Sequence, residues 1–251
     1  MSDGYTDATY GDRIAEIYDA RLGTPTDESA AVKFLKELAG EGPALELGIG
    51  TGRVALPLME AGVEVHGIDT SEAMVRRLRA KPRGDEVPVT MGTFADFSLD
   101  LRSPLVYVVY NTFFGLLTQE EQISCFAAIA RHLTPDGVFV MQAFVPDVRR
   151  FDADDQRVSA TWVGVDEIDL ETSKHDPVAQ RTDSQHVVVR DGNVRIYPVR
   201  IRYAYVSELD LMARLAGLRL RERWSDWDRS PFPSPGRGHI SVWERDGAPA
   251  P

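Results

Sequence analysis

The stretch Ala44-Leu45-Glu46-Leu47-Gly48-Ile49-Gly50-Thr51-Gly52-Arg53 decides how this chain is read. A short apolar strand runs straight into three glycines at alternate positions, and a helix is expected from about Arg53 to Ala61. Glycines after a first strand let the backbone turn tightly and let a ligand approach main-chain atoms without interference from Cβ. A dinucleotide fingerprint needs G-x-G-x-x-G/A, whose third small residue permits close helix–strand packing. Here that slot is the long Arg53, which disfavours a nicotinamide cofactor. Asp69 lies 21 residues beyond Gly48, at the end of a second strand over 63–69. A carboxylate there can accept two hydrogen bonds from a ribose diol. Alone, the loop fits turn punctuation and the acid fits a helix cap. With a strand before, a helix after and the second acid in place, the pattern is specific.

Outward from the loop, strands and helices alternate. Residues 12–40 read as helical, best defined by Val32, Phe34, Leu35 and Leu38 before Gly40. Pro57 cannot donate to the Arg53 carbonyl, so a kink or a loosened first turn is expected. Ser71 caps a helix to about Ala80. Strands follow over 87–91 and 105–110, the latter apolar throughout, as a strand covered on both faces should be. Thr118 and Glu121 form a capping-box pattern. The helix behind it carries Ile123, Phe126, Ile129, Ala130 and Leu133 on one face, Pro135 and Gly137 stop it, and 138–141 is strand five. Such alternation means right-handed crossovers and a parallel sheet.

After about residue 145 the texture changes. Val187-Val188-Val189, Asp191-Gly192 and 194–205 read as a hairpin with a tight turn. A capped helix from Ser207 to about Ala216 follows, ended by Gly217. Strands over 218–224 and 239–243 flank the Pro-rich loop 230–236. The expectation is a doubly wound α/β sheet with an added antiparallel β insertion. Its segments are an N-terminal helical lid (1–40), a cofactor-binding core (41–145), the insertion (146–206) and a completion of the core sheet (207–251).

At 251 residues, one elaborated domain is expected. The 43% hydrophobic content, with only 20 Gly and 15 Pro, excludes a disordered chain and allows a sizeable core. A net charge of -11 argues against a phosphate-tracking surface, hence against nucleic acid; Arg76, Arg77 and Arg79 read as a solvated helix face. The single Cys125 cannot form an internal disulfide. Met1-Ser2-Asp3-Gly4-Tyr5 lacks a signal pattern, and no run approaches the ~18 apolar residues of a membrane span. A soluble, cytoplasmic protein with no membrane partner is expected. No Cys–His spacing supports a metal.

The run Leu45-Glu46-Leu47-Gly48-Ile49-Gly50-Thr51-Gly52-Arg53-Val54-Ala55-Leu56-Pro57-Leu58, followed by Gly67-Ile68-Asp69-Thr70-Ser71-Glu72-Ala73-Met74, resembles the class I S-adenosylmethionine (SAM) methyltransferases. The match covers roughly residues 40–145. It implies a seven-stranded sheet whose seventh strand runs antiparallel between the fifth and sixth. It implies SAM as cofactor, S-adenosylhomocysteine as product, and Gly48, Gly50 and Gly52 beneath the methionine half. Asp69 would hold the ribose, Met74 would lie against adenine, and Thr93-Phe94 would frame the ring edge. Arg53 and Tyr18 are candidates for the SAM carboxylate, since a guanidinium pairs with it bidentately. Glu46, Thr70 and Tyr110 complete the cofactor set. Core packing suits Met74 and Phe94 equally well.

Residues after strand four decide substrate class in this family, and here they read Tyr110-Asn111-Thr112-Phe113-Phe114-Gly115. The Asn/Asp-Pro-Pro-Tyr/Phe signature is missing, which with the acidic balance speaks against DNA, RNA and glutamine substrates. Asn111, Phe113 and Phe114 are then candidates for the acceptor. Within the family, the chain resembles the small N-methyltransferases of antibiotic biosynthesis that act on amino sugars and lincosamide-type amines. Thr9-Tyr10-Gly11-Asp12-Arg13-Ile14-Ala15-Glu16-Ile17-Tyr18-Asp19 is similar to their N-terminal lid. Ser234-Pro235-Gly236-Arg237-Gly238 is similar to their last loop, whose Arg faces the acceptor. Some relatives carry a His just after strand four; this sequence has Phe113, Phe114 and Leu116 there. The added sheet matches an acceptor cover or a dimer surface, implying a homodimer or higher homo-oligomer.

Methyl transfer is an in-line displacement from a sulfonium. An amine needs only to be unprotonated and aimed, whereas an alcohol or phenol wants a general base, usually His. His66 lies in a buried-reading strand and His132 ends a helix, leaving His239, beside the last loop, as the catalytic candidate. Tyr10 and Arg237 join it, although the lid tyrosines also fit amphipathic packing and Arg237 an exposed loop charge. The leading expectation is methylation of an amine on a small natural-product or amino-sugar-like acceptor, mainly by positioning. The alternatives are O-methylation with His239 as base, a SAM-binding module without turnover and, more distantly, a dehydrogenase.

Overall fold

Two sheets organise the chain in the computed structural model, which describes residues 4–22 and 25–247. Met1-Ser2-Asp3 and the tail 248–251 of the C-terminal segment lie outside the described residues. Strands β1 (Ala44–Leu47), β2 (Val65–Asp69), β3 (Val89–Met91), β4 (Ser103–Val108) and β5 (Leu133–Phe144) form the parallel part of the first sheet. The chain then leaves it for a four-stranded antiparallel sheet: β6 (Gln156–Val163), β7 (Glu167–Asp176), β8 (Arg181–Arg190) and β9 (Asn193–Arg202). It returns as β10 (Leu218–Trp224) and β11 (Gly238–Arg245), giving the order β10-β11-β5-β4-β1-β2-β3. β11 runs antiparallel between β5 and β10, as the resemblance implied.

Three of the helices are α1 (Thr9–Ile14), α2 (Tyr18–Leu22) and α3 (Pro25–Ala39), which replace the single helical span expected over 12–40. The first break is a tightened turn, in which the Ile17 N–H donates to the Ile14 carbonyl at 3.0 Å. Helix α4 (Ala55–Glu60) starts two residues later than expected. Pro57 therefore sits in the first turn, where a backbone N–H has no helical partner anyway. Ser71 caps α5 (Glu72–Arg79), accepting from the Met74 N–H at 3.2 Å. The Thr118–Glu121 capping box starts α6 (Gln119–His132). Helix α7 (Val206–Leu215) begins without a side-chain cap, so Ser207 is not its cap. None of the described helices is long and apolar enough to cross a membrane.

Apolar layers cover both faces of the seven-stranded sheet. Phe126, Phe139 and Trp243 pack on one side and Phe34, Leu35 and Leu58 on the other, which is why β4 is apolar nearly throughout. The second sheet has the opposite character. Its register puts Arg157, Ser173, Ser184, Glu171 and His186 on one face. On the other stand the exposed Val158, Val163, Val194 and Ile196. Asp191 (φ 49°) and Gly192 (φ 73°) are both left-handed, as a two-residue turn matching strand twist requires. The hairpin β6–β7 was not foreseen.

Candidate functional site

A cavity of about 1640 Å³ opens where β1, β2 and β4 end, between the glycine loop, α1 and the polar face of the second sheet. This is the carboxyl end of the parallel strands, where open α/β sheets bind ligands. At Gly50 (φ +56°) a Cβ would meet almost nothing, because the open space is the cavity itself. At Gly52 (φ +73°) a Cβ would strike Leu78 at 2.3 Å, so this glycine serves helix packing and is absent from the cavity wall.

Asp69 closes the loop. One carboxylate oxygen accepts from the Gly50 N–H at 2.7 Å and the other from the Ser71 N–H at 2.8 Å. Burial raises its pKa, and those backbone donors work against the rise. Each oxygen retains a lone pair, so a ribose diol can be held without releasing the loop. The acid is both a cap and a wall of the cavity. Thr70, Thr93, Phe94 and Met74 also line it, and the last two are buried against apolar neighbours as well, so both readings of them hold together.

Arg53 stands beneath two tyrosines. Its guanidinium carbon is 3.7 Å from the Tyr110 ring centroid and 5.7 Å from that of Tyr18. Its Nε lies 3.1 Å from Glu28. All three side chains line the cavity, so a cationic, aromatic-walled corner faces the glycine loop. Burial pushes the Tyr18 phenol up to about 12 and raises Tyr10 further. Both therefore keep their protons at neutral pH. Glu46 takes no part in the wall: it is buried under the loop, accepts the Tyr107 hydroxyl at 2.9 Å, and burial pushes it up to about 8.

The N-terminal segment is fastened at two points. Asp12 accepts from the Ser71 hydroxyl at 2.6 Å, and Asp19 accepts from the Thr51 hydroxyl at 2.6 Å and pairs with Lys81 at 2.8 Å. Beside these two points Tyr10 and Tyr18 face the cavity.

On the acceptor side the expectations separate. Tyr10, Asn111 and Arg237 line the cavity, with Arg237 exposed. Phe113 and Phe114 do not: both are 0% exposed. Phe113 packs its ring 5.4 Å from Phe126, and Phe114 packs 5.0 Å from Phe144. The cause is local. Tyr110 (φ 55°) and Asn111 (φ 65°) are consecutive left-handed residues, and the short helix 112–115 that follows them turns Phe113 and Phe114 into the core while Thr112 and Gly115 stay on the cavity wall. The Asn111 carboxamide holds the bend by accepting the Phe144 N–H at 2.7 Å. His239 also lies off the cavity, 1% exposed. Arg223 donates to the Ser241 hydroxyl at 2.7 Å, and that hydroxyl shares a hydrogen bond with His239 Nδ1 at 2.8 Å. Burial drops its pKa to about 4, with nearby Arg223 adding to the fall. Sequence reasoning offered the added sheet as an acceptor cover or dimer surface but named none of its lining residues, among them Arg157, Glu171, Ser173, Ser184 and His186, nor Tyr203 after β9. Alternation of polar residues along β7 and β8 was the available signal. Among the described residues no cluster of His, Cys, Asp and Glu could hold a metal.

A reversed last strand, a glycine loop, and an acid after the second strand define an α/β fold built for an adenosine cofactor. Residues 44–137 match the Methyltransferase domain family. The chain is 30% identical over 241 residues to the cypemycin N-terminal methyltransferase of a Streptomyces species, covering 95% of this chain and 98% of that protein. It superimposes on the CcbJ methyltransferase of Streptomyces caelestis with a TM-score of 0.90 at 42% identity, over 96% and 99% of the two chains. SAM-bound CalS10 of Micromonospora echinaspora, an amino pentose methyltransferase involved in calicheamicin biosynthesis, shares the fold (TM-score 0.67, 19% identity, 98% and 99% covered). The chain belongs to the SAM-dependent methyltransferases. SAM is its cofactor, and the acid, the open space at Gly50 and the cationic corner fit it.

Proposed function

We propose that this enzyme methylates an amine nitrogen on a small natural-product or amino-sugar-like acceptor, chiefly by holding it in line with the methyl group. The full-length likeness to the cypemycin N-terminal methyltransferase carries the reading. His239, the base named for O-methylation, is buried off the cavity, which removes the support for that particular alternative. Bound SAM supplies an electrophilic methyl on a sulfonium. In this proposal Gly50, Asp69 and Arg53 orient it, Tyr10 and Asn111 aim the amine, and Arg237 approaches from the last loop. Positioning of this kind can supply most of the rate. The test is a methyl-transfer screen of glucosamine, triglycine, prolinamide, catechol and p-nitrophenol, with mass spectrometry locating the methyl group. Turnover of amines is expected; turnover confined to the phenols overturns the reading.

The N-terminal segment acts as a lid in this proposal, and the second sheet as both acceptor cover and self-association surface. Its covered face is polar while its open face carries Val158 and Val163, at 73% and 70% exposure. An open apolar sheet face of this size marks a contact with another molecule, here a second copy. Light scattering is expected to give a dimer or higher oligomer, and a strict monomer would leave only the cover role. The free, buried Cys125 needs no oxidising compartment, in keeping with a cytoplasmic site that cell fractionation can check.

A further inference from the structure

Beside the large cavity lies a smaller one of about 570 Å³, and Phe151, Tyr203 and Tyr205 border both. Three side chains from distant parts of the sequence meet on its wall. His175 Nδ1 is 3.0 Å from an Asp155 carboxylate oxygen, and His175 Nε2 is 2.8 Å from the Tyr203 phenol. The imidazole is fixed from every side. Phe151 stacks on it at 4.5 Å and 16°, and the His175 backbone N–H donates to the Asp155 carbonyl at 2.8 Å. Asp155 holds this place with a left-handed backbone, φ 55°.

The order of donors follows from the chemistry. A carboxylate only accepts, so Nδ1 carries the proton, Nε2 accepts, and the Tyr203 hydroxyl donates to it. The phenol oxygen then keeps its lone pairs for an N–H donor. A purely structural histidine needs none of this. His132 is satisfied by backbone on both nitrogens, with the Ala128 carbonyl at 2.7 Å and the Leu99 N–H at 2.9 Å. The Asp155 side chain is 47% exposed, so the line of three runs from a residue of the cavity wall to water.

Other ionisable groups nearby are already engaged. Glu208 pairs with Arg202 at 2.7 Å and accepts from Gln180 at 2.8 Å. Asp176 accepts the Val178 and Ala179 N–H groups, and Asp152 those of Asp154 and Gln156. Tyr205 stands edge-on to Tyr203, at 6.0 Å. Burial, with Tyr205, Asp155 and Asp176 adding and Arg202 opposing, keeps the Tyr203 phenol above its ordinary range and hence protonated.

We propose that Tyr203, His175 and Asp155 form a proton outlet for the acceptor amine. The inference rests on the N-methylation reading. A free amine enters at neutral pH largely as an ammonium ion, which has no lone pair to offer. Its proton passes to the Tyr203 oxygen while the phenol's own proton passes to His175 Nε2. The products are a neutral amine, a neutral phenol and an imidazolium paired with Asp155. Once the methylated product has left, Nε2 returns its proton to the Tyr203 oxygen as the phenol's own proton passes to water in the emptied cavity, and the starting tautomer is restored. Tyr203 is the group that touches the amine; His175 and Asp155 act through it as positioning residues.

Two measurements test the outlet. The first is kcat/KM against pH for wild type, His175→Gln and Asp155→Asn, using whichever of glucosamine, triglycine or prolinamide turns over fastest. His175→Gln is expected to lose about a hundredfold near pH 6.5, the scale of assisted proton transfer. It should return to within about threefold of wild type near pH 10, where the amine needs no help, and Asp155→Asn should follow the same shape with a smaller loss. A loss equal at every pH, or no loss, overturns the proposal. The second measurement needs no acceptor: nitrogen-15 NMR of the histidines in the full-length protein. Nδ1–H at His175 is expected, and Nε2–H overturns the outlet. If the wild type methylates only phenols, the N-methylation reading falls while the tautomer still decides the relay.

Discussion

The two sides of the large cavity are made of different material. Toward the cofactor, the wall is a glycine loop tied to Asp69 through the Gly50 N–H at 2.7 Å, with the end of β2 below it and Arg53, Tyr18 and Tyr110 beside it. Toward the acceptor, it is side chains standing on a sheet: Arg157 paired with Glu171 at 3.0 Å, Ser173 bonded to Ser184 at 2.8 Å, and His186. A wall set by the backbone accepts one ligand in one pose, since its shape changes only when the chain moves. A side-chain wall can be rebuilt one residue at a time around the same frame. One enzyme family can thus keep one methyl donor and serve many acceptors.

The largest expected break of this contrast is Gly50→Val. A branched side chain would enter the cavity on a left-handed backbone, so SAM affinity should fall about a hundredfold or more, with circular dichroism unchanged. Calorimetry that finds normal affinity would place the cofactor elsewhere. Asp69→Ala is expected to weaken SAM by about 1–3 kcal/mol, because charge-assisted bonds to the ribose and to the loop go together. An unchanged dissociation constant would reduce Asp69 to a cap. On the acceptor side, Tyr10→Phe should lower kcat/KM only about tenfold and leave SAM binding intact, the scale of one neutral hydrogen bond. A loss of about 10⁴-fold would make Tyr10 more than an aiming group.

The last effect, on folding stability and not on binding or rate, sharpens the contrast beneath the loop. Glu46 is pushed up to about 8 by burial, so the folded state binds its proton more tightly than the unfolded state does. Its contribution is full below the ordinary carboxylate range and is lost as pH rises through about 8. His239, held down at about 4, has the opposite sign: its contribution is present above its ordinary value and is lost as pH falls toward about 4. Glu46→Gln should therefore remove on the order of 3 kcal/mol of the stability decline between pH 5 and 8. Thermal melts that decline equally in both proteins would mean Glu46 is ionised when folded.

The same contrast governs what could be read in the chain. β1, its glycines and Asp69 are short-range signals, and the Thr118–Glu121 box and the Asp191-Gly192 turn are equally local. Each was legible because adjacent residues dictate it. The β6–β7 hairpin escaped because its covered face is polar and its open face apolar, the reverse of the pattern by which half-buried strands are recognised. Phe113 and Phe114 were misplaced because nothing in their own identity reveals a bend made by Tyr110 and Asn111. Asn tolerates that conformation and Tyr rarely adopts it, so tertiary contacts, among them the Asn111–Phe144 bond, impose it. The cavity role of Tyr203 and its link to His175 join residues 28 positions apart in sequence, beyond the reach of any spacing rule.

That left-handed pair bears on how the family diversifies. Residues held in such conformations carry strain on the order of 1–3 kcal/mol each, and a β-branched replacement at 110 or 111 would add to it. Variation at the mouth of the cavity is thereby confined to a few residue types. On the inner face of the second sheet, apart from the irregularity of β6 at residues 160–162, the strands pair in regular register, and serine, glutamate and histidine can be exchanged without disturbing it. New acceptor preferences in lineages built on this frame should therefore accumulate on β6 to β8, while the turn after β4 drifts slowly.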